Sequence, residues 1–284
     1  YTVSLSKGYS MSFKNLGLSD ELLNTIQKEG YSEATPVQER AIPLINKGMD
    51  ILAGAQTGTG KTAAFALPIL NRLQQSKSKK RTVRALILTP TRELAAQVNN
   101  SFRTYGIALP FKTIEIFGGV SMRPQKSKLK KGVDIVVATP GRLLDHLSQN
   151  TIDLSGVEVF VLDEADRMLD MGFKRDIEKV IKQLPKRRQN LLFSATFPKE
   201  IQRLASKLLN SPKKIQVASE NSTAENVKQT VYPVDQSRKR ELLIHSIKEN
   251  NWFQVLVFIK TKRAADKLTR QLNKKRILSD TIHG

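Results

Sequence analysis

Two short segments carry residue types suited to phosphate chemistry. Ala55-Gln56-Thr57-Gly58-Thr59-Gly60-Lys61-Thr62 follows an apolar stretch and opens a helical pattern. Glycines at such a turn let backbone N–H groups converge on a β-phosphate, Lys61 can reach the β- and γ-phosphates, and the Thr62 hydroxyl can ligate Mg²⁺. Ala55 stands where the usual phosphate-loop pattern has Gly. Further along, Val159-Phe160-Val161-Leu162 delivers Asp163-Glu164-Ala165-Asp166, setting carboxylates at the tip of a buried strand. Asp163 reads as the Mg²⁺ partner, through water, because Mg²⁺ dehydrates reluctantly. Glu164 reads as the general base that orients and deprotonates an attacking water. Together the two segments describe an ATP-hydrolysing site. Their pairing makes geometric sense in a doubly wound sheet, where the carboxyl ends of neighbouring strands open onto one crevice.

The elements that must position these residues are visible as an alternation. Strand-like apolar runs fall at 51–53, 85–88, 113–117, 134–138, 157–162, 190–193 and 214–217. Helical periodicity fills the intervals at 61–73, 92–105, 142–147, 173–184 and 198–208. This predicts an α/β fold, a doubly wound parallel sheet covered on both faces with right-handed crossovers. Residues 218–228 are polar, lack aromatics and read as a linker. The alternation then resumes, with strand runs at 229–234, 254–259 and 277–282 and helices at 240–248 and 264–272. The expected organisation is an ATP-binding domain over 11–217, a linker over 218–228, and a partial second α/β domain over 229–284. That last stretch is shorter than the roughly 100–200 residues of an ordinary domain. Residues 1–10 have no periodicity, precede Met11, and read as a cloning remnant or a disordered segment.

Composition narrows the partner. Among 284 residues, 47 Lys and Arg face 26 Asp and Glu, a net charge of +21, which points to a polyanion such as nucleic acid. A membrane is the weaker expectation, since no apolar run approaches the roughly 18 residues of a span and the first residues lack a signal peptide's apolar region. Zero cysteines exclude disulfides and thiolate metal sites and fit a reducing, cytoplasmic compartment. His146, His245 and His283 have no ligand spacing and read as ordinary surface or core histidines. The basic runs at 77–81, 128–131 and 186–188 read as solvated loops whose sum still attracts RNA over distance.

From about Met11 to Gly284 the chain resembles the DEAD-box RNA helicases, most of all the bacterial RhlE-type subgroup. Phe13, Gly30-Tyr31, Thr35-Pro36 and Gln38 resemble the family's adenine-reading Q motif, Ala55 to Thr62 its phosphate loop, and Asp163 to Asp166 spell the family name. Pro90-Thr91-Arg92-Glu93-Leu94-Ala95, Gly118-Gly119 and Thr139-Pro140-Gly141-Arg142 look like its RNA-contacting segments, and Ser194-Ala195-Thr196 like its coupling motif. Val257-Phe258-Ile259-Lys260-Thr261 is similar to the first motif of the second RecA-like domain; the later motifs of that domain, with an arginine-rich ATP-facing segment, are absent from this sequence. The resemblance implies a RecA-like fold, ATP and Mg²⁺ as cofactors, and RNA as the ligand. It also implies ribosome-assembly or RNA-decay proteins as partners.

Residue chemistry fits these assignments. The Gln38 amide offers a donor and an acceptor side by side, matching adenine's N6 and N7, and Tyr31 could stack on the base. Thr91, Arg92, Thr139 and Arg142, with the backbone N–H groups of the glycine loops, suit sugar-phosphate contacts that bind without reading sequence. A 2′-OH contact would separate RNA from DNA. By resemblance, Asp166 would bond to Ser194 and Thr196 and link the ATP site to a domain interface. The implied activity is ATP-dependent local strand separation, with ATP closing two RecA-like domains over RNA. Two other readings are a DNA helicase or translocase and a truncated RNA-binding or partner-docking module that holds ATP with little turnover.

Overall fold

In a computed structural model, residues 12–56, 58–76, 81–216 and 230–283 are described. Seven strands form one sheet: β1 Ile51–Gly54, β2 Ala85–Leu88, β3 Thr113–Ile116, β4 Ile135–Ala138, β5 Val159–Leu162, β6 Gln189–Ser194 and β7 Lys213–Gln216. Their order is β3-β4-β2-β5-β6-β1-β7, and every pairing is parallel. Strands buried on both faces must be apolar throughout, and β2, β4 and β5 read Ala-Leu-Ile-Leu, Ile-Val-Val-Ala and Val-Phe-Val-Leu with every residue buried. The edge strands β3 and β7 bury only alternate residues or one residue.

Around the sheet lie α1 Asp20–Lys28, α2 Pro36–Asn46, α3 Lys61–Gln75, α4 Arg92–Tyr105, α5 Met122–Lys130, α6 Pro140–Ser148, α7 Ala165–Asp170, α8 Lys174–Lys182 and α9 Lys199–Leu208. One core packs Phe65, Phe102 and Phe193 with α1 to α4 against one face; the other packs Phe160, Leu143, Met168, Ile177 and Ile201 against the opposite face. This is the expected RecA-like α/β fold, and the strand boundaries fall within two residues of those expected from sequence. Helices α1, α2, α5 and α7 were not anticipated.

By contacts the chain divides into Tyr1–Ser222 and Thr223–Gly284. The expected linker, 218–228, lies outside the described residues. Among its described residues the second unit holds two α-helices, α10 Lys239–Glu249 and α11 Lys262–Lys274. The strand runs expected at 229–234, 254–259 and 277–282 do not form strands among the described residues. A strand exists only as part of a ladder, and among the described residues none pairs with these runs: Leu256, Phe258 and Leu278 are 73%, 89% and 100% exposed.

Candidate functional site

The phosphate-loop segment, the Asp163 to Asp166 segment and the Ser194 to Thr196 segment leave the carboxyl ends of β1, β5 and β6, three adjacent strands. They therefore meet at one crevice, tied together by Ala55 N–H donating to the Ser194 carbonyl at 3.2 Å. Gly58 and Gly60 hold φ of 85° and 87°, backbone that favours glycine. At Gly60, which starts α3, a β-carbon would lie 2.5 Å from Gln38 Nε2 and 3.1 Å from Thr35 Oγ1. Thr57, the remaining loop position, lies outside the described residues.

The start of α2 holds the loop. Pro36 occupies the first helical turn, and Thr35 and Gln38 form a reciprocal capping box. Gln38 Oε1 accepts from Thr35 N–H at 2.9 Å, Gln38 Nε2 donates to the Gly60 carbonyl at 3.1 Å, and Thr35 Oγ1 donates to the Thr59 carbonyl at 2.9 Å. Thr59 Oγ1 in turn donates to the Gln56 carbonyl at 2.8 Å. Both ends of the Gln38 amide are thus engaged in a residue only 1% exposed, each through one bond, which leaves the amide a second N–H and a second lone pair for adenine. Phe13 and Tyr31 sit in an aromatic cluster with Tyr105: the ring pairs Phe13–Tyr31 and Tyr31–Tyr105 are edge-to-face, and the two tyrosine hydroxyls are 2.9 Å apart. Tyr31 keeps 37% of its surface exposed.

At the centre Lys61 Nζ stands 4.0 Å from Asp163 Oδ1. Both atoms are buried and neither has a hydrogen-bond partner. Leaving such groups unpaired is costly, and a phosphate oxygen at Lys61 with a hydrated cation at Asp163 would complete them. The donor set of Thr62 hydroxyl and Asp163 carboxylate suits Mg²⁺. Burial pushes the Asp163 carboxyl up to about 6, against the pull of Lys61. Next to it, Glu164 takes φ of 53°, a left-handed conformation that costs a non-glycine residue energy and is found at functional sites. Its carboxylate pairs with Arg167 at 3.1 Å.

Asp166 is joined to the Ser194–Thr196 segment. Its Oδ2 accepts from Thr196 N–H and Thr196 Oγ1, both at 2.9 Å, and its own N–H donates to Ser194 Oγ at 3.2 Å. Ser194 Oγ donates onward to the Thr196 carbonyl at 2.8 Å, across Ala195.

The segments expected to meet RNA leave the other half of the sheet. Pro90-Thr91-Arg92 follows β2, Gly118-Gly119 follows β3 and Thr139-Pro140-Gly141-Arg142 follows β4, so all three line one end of neighbouring strands. Thr91 caps α4, accepting from Leu94 N–H at 3.2 Å, and Thr139 precedes α6 with Pro140 at its start. The two arginines differ. Arg92 has its side chain 60% exposed beside Glu93, whereas Arg142 is 13% exposed, pairs with Asp145 at 3.4 Å and donates to the Val120 carbonyl at 3.0 Å. Arg142 therefore clamps the glycine loop to α6.

A second clamp was not foreseen. His146, on α6 and fully buried, has Nε2 3.0 Å from Gln125 Oε1 and Nδ1 2.7 Å from Thr151 Oγ1, and Gln125 Nε2 donates to the Phe117 carbonyl at 3.0 Å. The glycine loop is thus held at Val120 by Arg142 of α6 and at Phe117 by Gln125 of α5, which His146 of α6 contacts. Thr261 belongs to the second unit, where it caps α11 by accepting from Ala264 N–H at 3.3 Å.

The profile of the DEAD/DEAH box helicases matches residues 35–204. The DEAD-box ATP-dependent RNA helicase RhpA of Helicobacter pylori is 42% identical over 96% of this chain and 55% of its own. The ATP-dependent RNA helicase CshA of Listeria monocytogenes is 40% identical over 96% and 52%. The crystal structure of a DEAD box protein from Methanococcus jannaschii superposes with a TM-score of 0.69 at 39% identity, covering 96% of this chain and 73% of that one. The chain spans about half the length of the curated relatives it matches. No helix among the described residues is long and apolar enough to cross a membrane. The profile match over the loops that build the crevice, with these relatives, places the chain in the DEAD/DEAH box helicase family.

Proposed function

We propose that this chain is the ATP-binding part of an ATP-dependent RNA helicase, coupling ATP binding and hydrolysis to local separation of RNA strands. The observation that carries this is the buried Lys61–Asp163 pair, whose facing atoms have no hydrogen-bond partner at the meeting point of the β1, β5 and β6 loops. Backbone N–H groups of the phosphate loop and Lys61 bind the triphosphate, while Thr62 and Asp163 hold Mg²⁺. The cation, when bound, neutralises charge developing on the phosphates. Glu164, held in place by its left-handed backbone and by Arg167, takes the proton of the attacking water. The Asp166–Ser194–Thr196 bonds carry the state of this site toward the coupling segment.

RNA lies along the loops after β2, β3 and β4. Arg92 reaches phosphate directly, and Arg142 and Gly118-Gly119 shape the backbone that receives it. Such contacts attract any sequence, in keeping with the +21 charge. Membership of the RhlE-type subgroup and partners in ribosome assembly or RNA decay belong to the same reading and rest on the motif resemblance, and a cytoplasmic setting is in keeping with the cysteine-free sequence.

ATP turnover with and without single-stranded RNA tests the proposal. In a chain carrying two complete RecA-like domains, RNA-stimulated hydrolysis, abolished by Glu164→Gln with nucleotide binding nearly intact, is the expected result. Parental turnover in Glu164→Gln would remove Glu164 as the base. Stimulation by DNA equal to that by RNA would favour a translocase, and binding without turnover a docking module.

A further inference from the structure

The glycine pair after β3 is held at both ends. Gly118-Gly119 stands between Phe117, whose carbonyl accepts from Gln125 Nε2 at 3.0 Å, and Val120, whose carbonyl accepts from Arg142 Nη1 at 3.0 Å. A β-carbon on Gly118 would meet nothing within 4 Å, and one on Gly119, at φ of 79°, would lie 3.6 Å from Arg92 Nη1. The pair therefore presents open backbone beside the exposed arginine that follows β2.

Behind the pair, the partners fix where the hydrogens lie. A carbonyl only accepts, so the Gln125 amide must turn its nitrogen to Phe117 and its oxygen to His146 Nε2, 3.0 Å away. That amide oxygen also only accepts, so His146 Nε2 carries a hydrogen. Thr151 Oγ1 lies 2.7 Å from Nδ1 and 3.0 Å from the His146 carbonyl. With the ring neutral, the hydroxyl donates to Nδ1; with the ring charged, it accepts from Nδ1–H and turns its hydrogen to the carbonyl. The Nε2–H bond to Gln125 stands in both states.

Buried polar side chains cost free energy unless they are hydrogen-bonded, and apolar ones would join two helices without that cost. Yet α5 buries Gln125 alone among its nine residues, and His146 is 0% exposed. A hydrogen bond is directional where an apolar contact is not, so this pair sets a position, that of the Phe117 carbonyl. Arg142 and His146 lie one turn apart on α6. One helix face thus governs both ends of the glycine pair, directly at Val120 and through Gln125 at Phe117. We propose that His146 and Gln125 are positioning residues for nucleic acid: without touching the strand, they hold Gly118-Gly119 in the shape that receives its sugar-phosphate backbone. This rests on the reading that RNA runs along the loops after β2, β3 and β4.

The test is the affinity of the 284-residue chain for a fluorescein-labelled single-stranded oligouridylate, read by anisotropy over a range of salt, with Mg²⁺–ADP affinity measured in parallel. Gln125→Met, similar in length but without the amide, and His146→Leu should each weaken RNA binding about fivefold, the scale of one hydrogen bond. ADP binding should stay as in the parent. The double variant should be no weaker than Gln125→Met, since His146 acts through Gln125. His146→Gln, which brings an N–H donor to the place of Nε2, should restore parental affinity. The salt slope should be unchanged in all of these, because no phosphate contact is lost, whereas Arg92→Ala should lower it by about 0.7. Parental RNA affinity in Gln125→Met would overturn the proposal, as would additive losses in the double variant or a His146→Gln protein as weak as His146→Leu. A lowered slope in Gln125→Met would mean direct contact with phosphate, and an equal fall in ADP and RNA binding would mean a role in folding alone; either result also overturns it. If the parent binds no RNA, or if Arg92→Ala binds it as the parent does, the RNA reading itself falls and the proposal with it.

Discussion

Val159–Leu162 and the run 255–259 are made of the same materials, valine, leucine and phenylalanine, with one isoleucine added in the second, and have different fates. The first is β5, paired with β2 on one side and β6 on the other, with every residue 0% exposed. The second forms no strand among the described residues, and its Leu256 and Phe258 are 73% and 89% exposed. Apolar and β-branched composition licenses a strand, but hydrogen-bonded neighbours and covering helices make one. The candidate chemistry follows the same division: the crevice is built where three strands of the first unit end side by side.

The strongest way to break this contrast is to remove one large side chain from each region. Phe160→Ala, which also strips the ring beneath Arg188, should cost about 3–5 kcal/mol in chemical denaturation. Phe258→Ala should stay within about 0.5 kcal/mol. Comparable losses would mean that 255–259 is packed in solution. Hydrogen exchange sharpens the same point without mutation. The amides of β4 and β5 should exchange slowest, near the rate of global unfolding, and those of 255–259 among the fastest. Protection of 255–259 equal to that of β5 would show a ladder there.

Much of the first unit was legible because central strands buried on both faces are continuous apolar runs, and the helices between them bury long periodic faces. What escaped was short or polar. α7 has six residues, too few to repeat a period, and α5 reads Met-Arg-Pro-Gln-Lys-Ser-Lys-Leu-Lys, with little apolar face to detect. The start of α2 did leave a signal, since Thr35 and Gln38 have capping-box spacing and Pro36 favours a first helical turn. The same Gln38 also braces Gly60 through its amide. The left-handed Glu164 and the His146–Gln125 contact depend on tertiary structure, and neither has a local sequence mark.

A smaller effect comes from a buried histidine of the first unit. Burial, with Arg142 and Lys126 nearby and Asp145 opposing, holds His146 below its usual 6.5. A group whose folded value is depressed binds fewer protons in the folded than in the unfolded state, so its neutral form supports folding above 6.5. That support is lost as pH falls from 6.5 through the lowered folded value. The first unit should therefore lose stability on acidification across that window, by up to about 1.4 kcal/mol per pH unit from this residue. His146→Asn should flatten the limb. Identical acid limbs for the parent and His146→Asn would contradict the assignment.

The central claim is that the buried Lys61–Asp163 pair is a triphosphate and Mg²⁺ site. Calorimetric titration of the parent and Lys61→Ala with ATP and GTP in the presence of Mg²⁺ tests it most directly. The account predicts that the parent binds ATP well ahead of GTP and that Lys61→Ala, having lost a buried charge-assisted contact, binds ATP at least about tenfold more weakly. Undiminished ATP binding by a folded Lys61→Ala protein would contradict it.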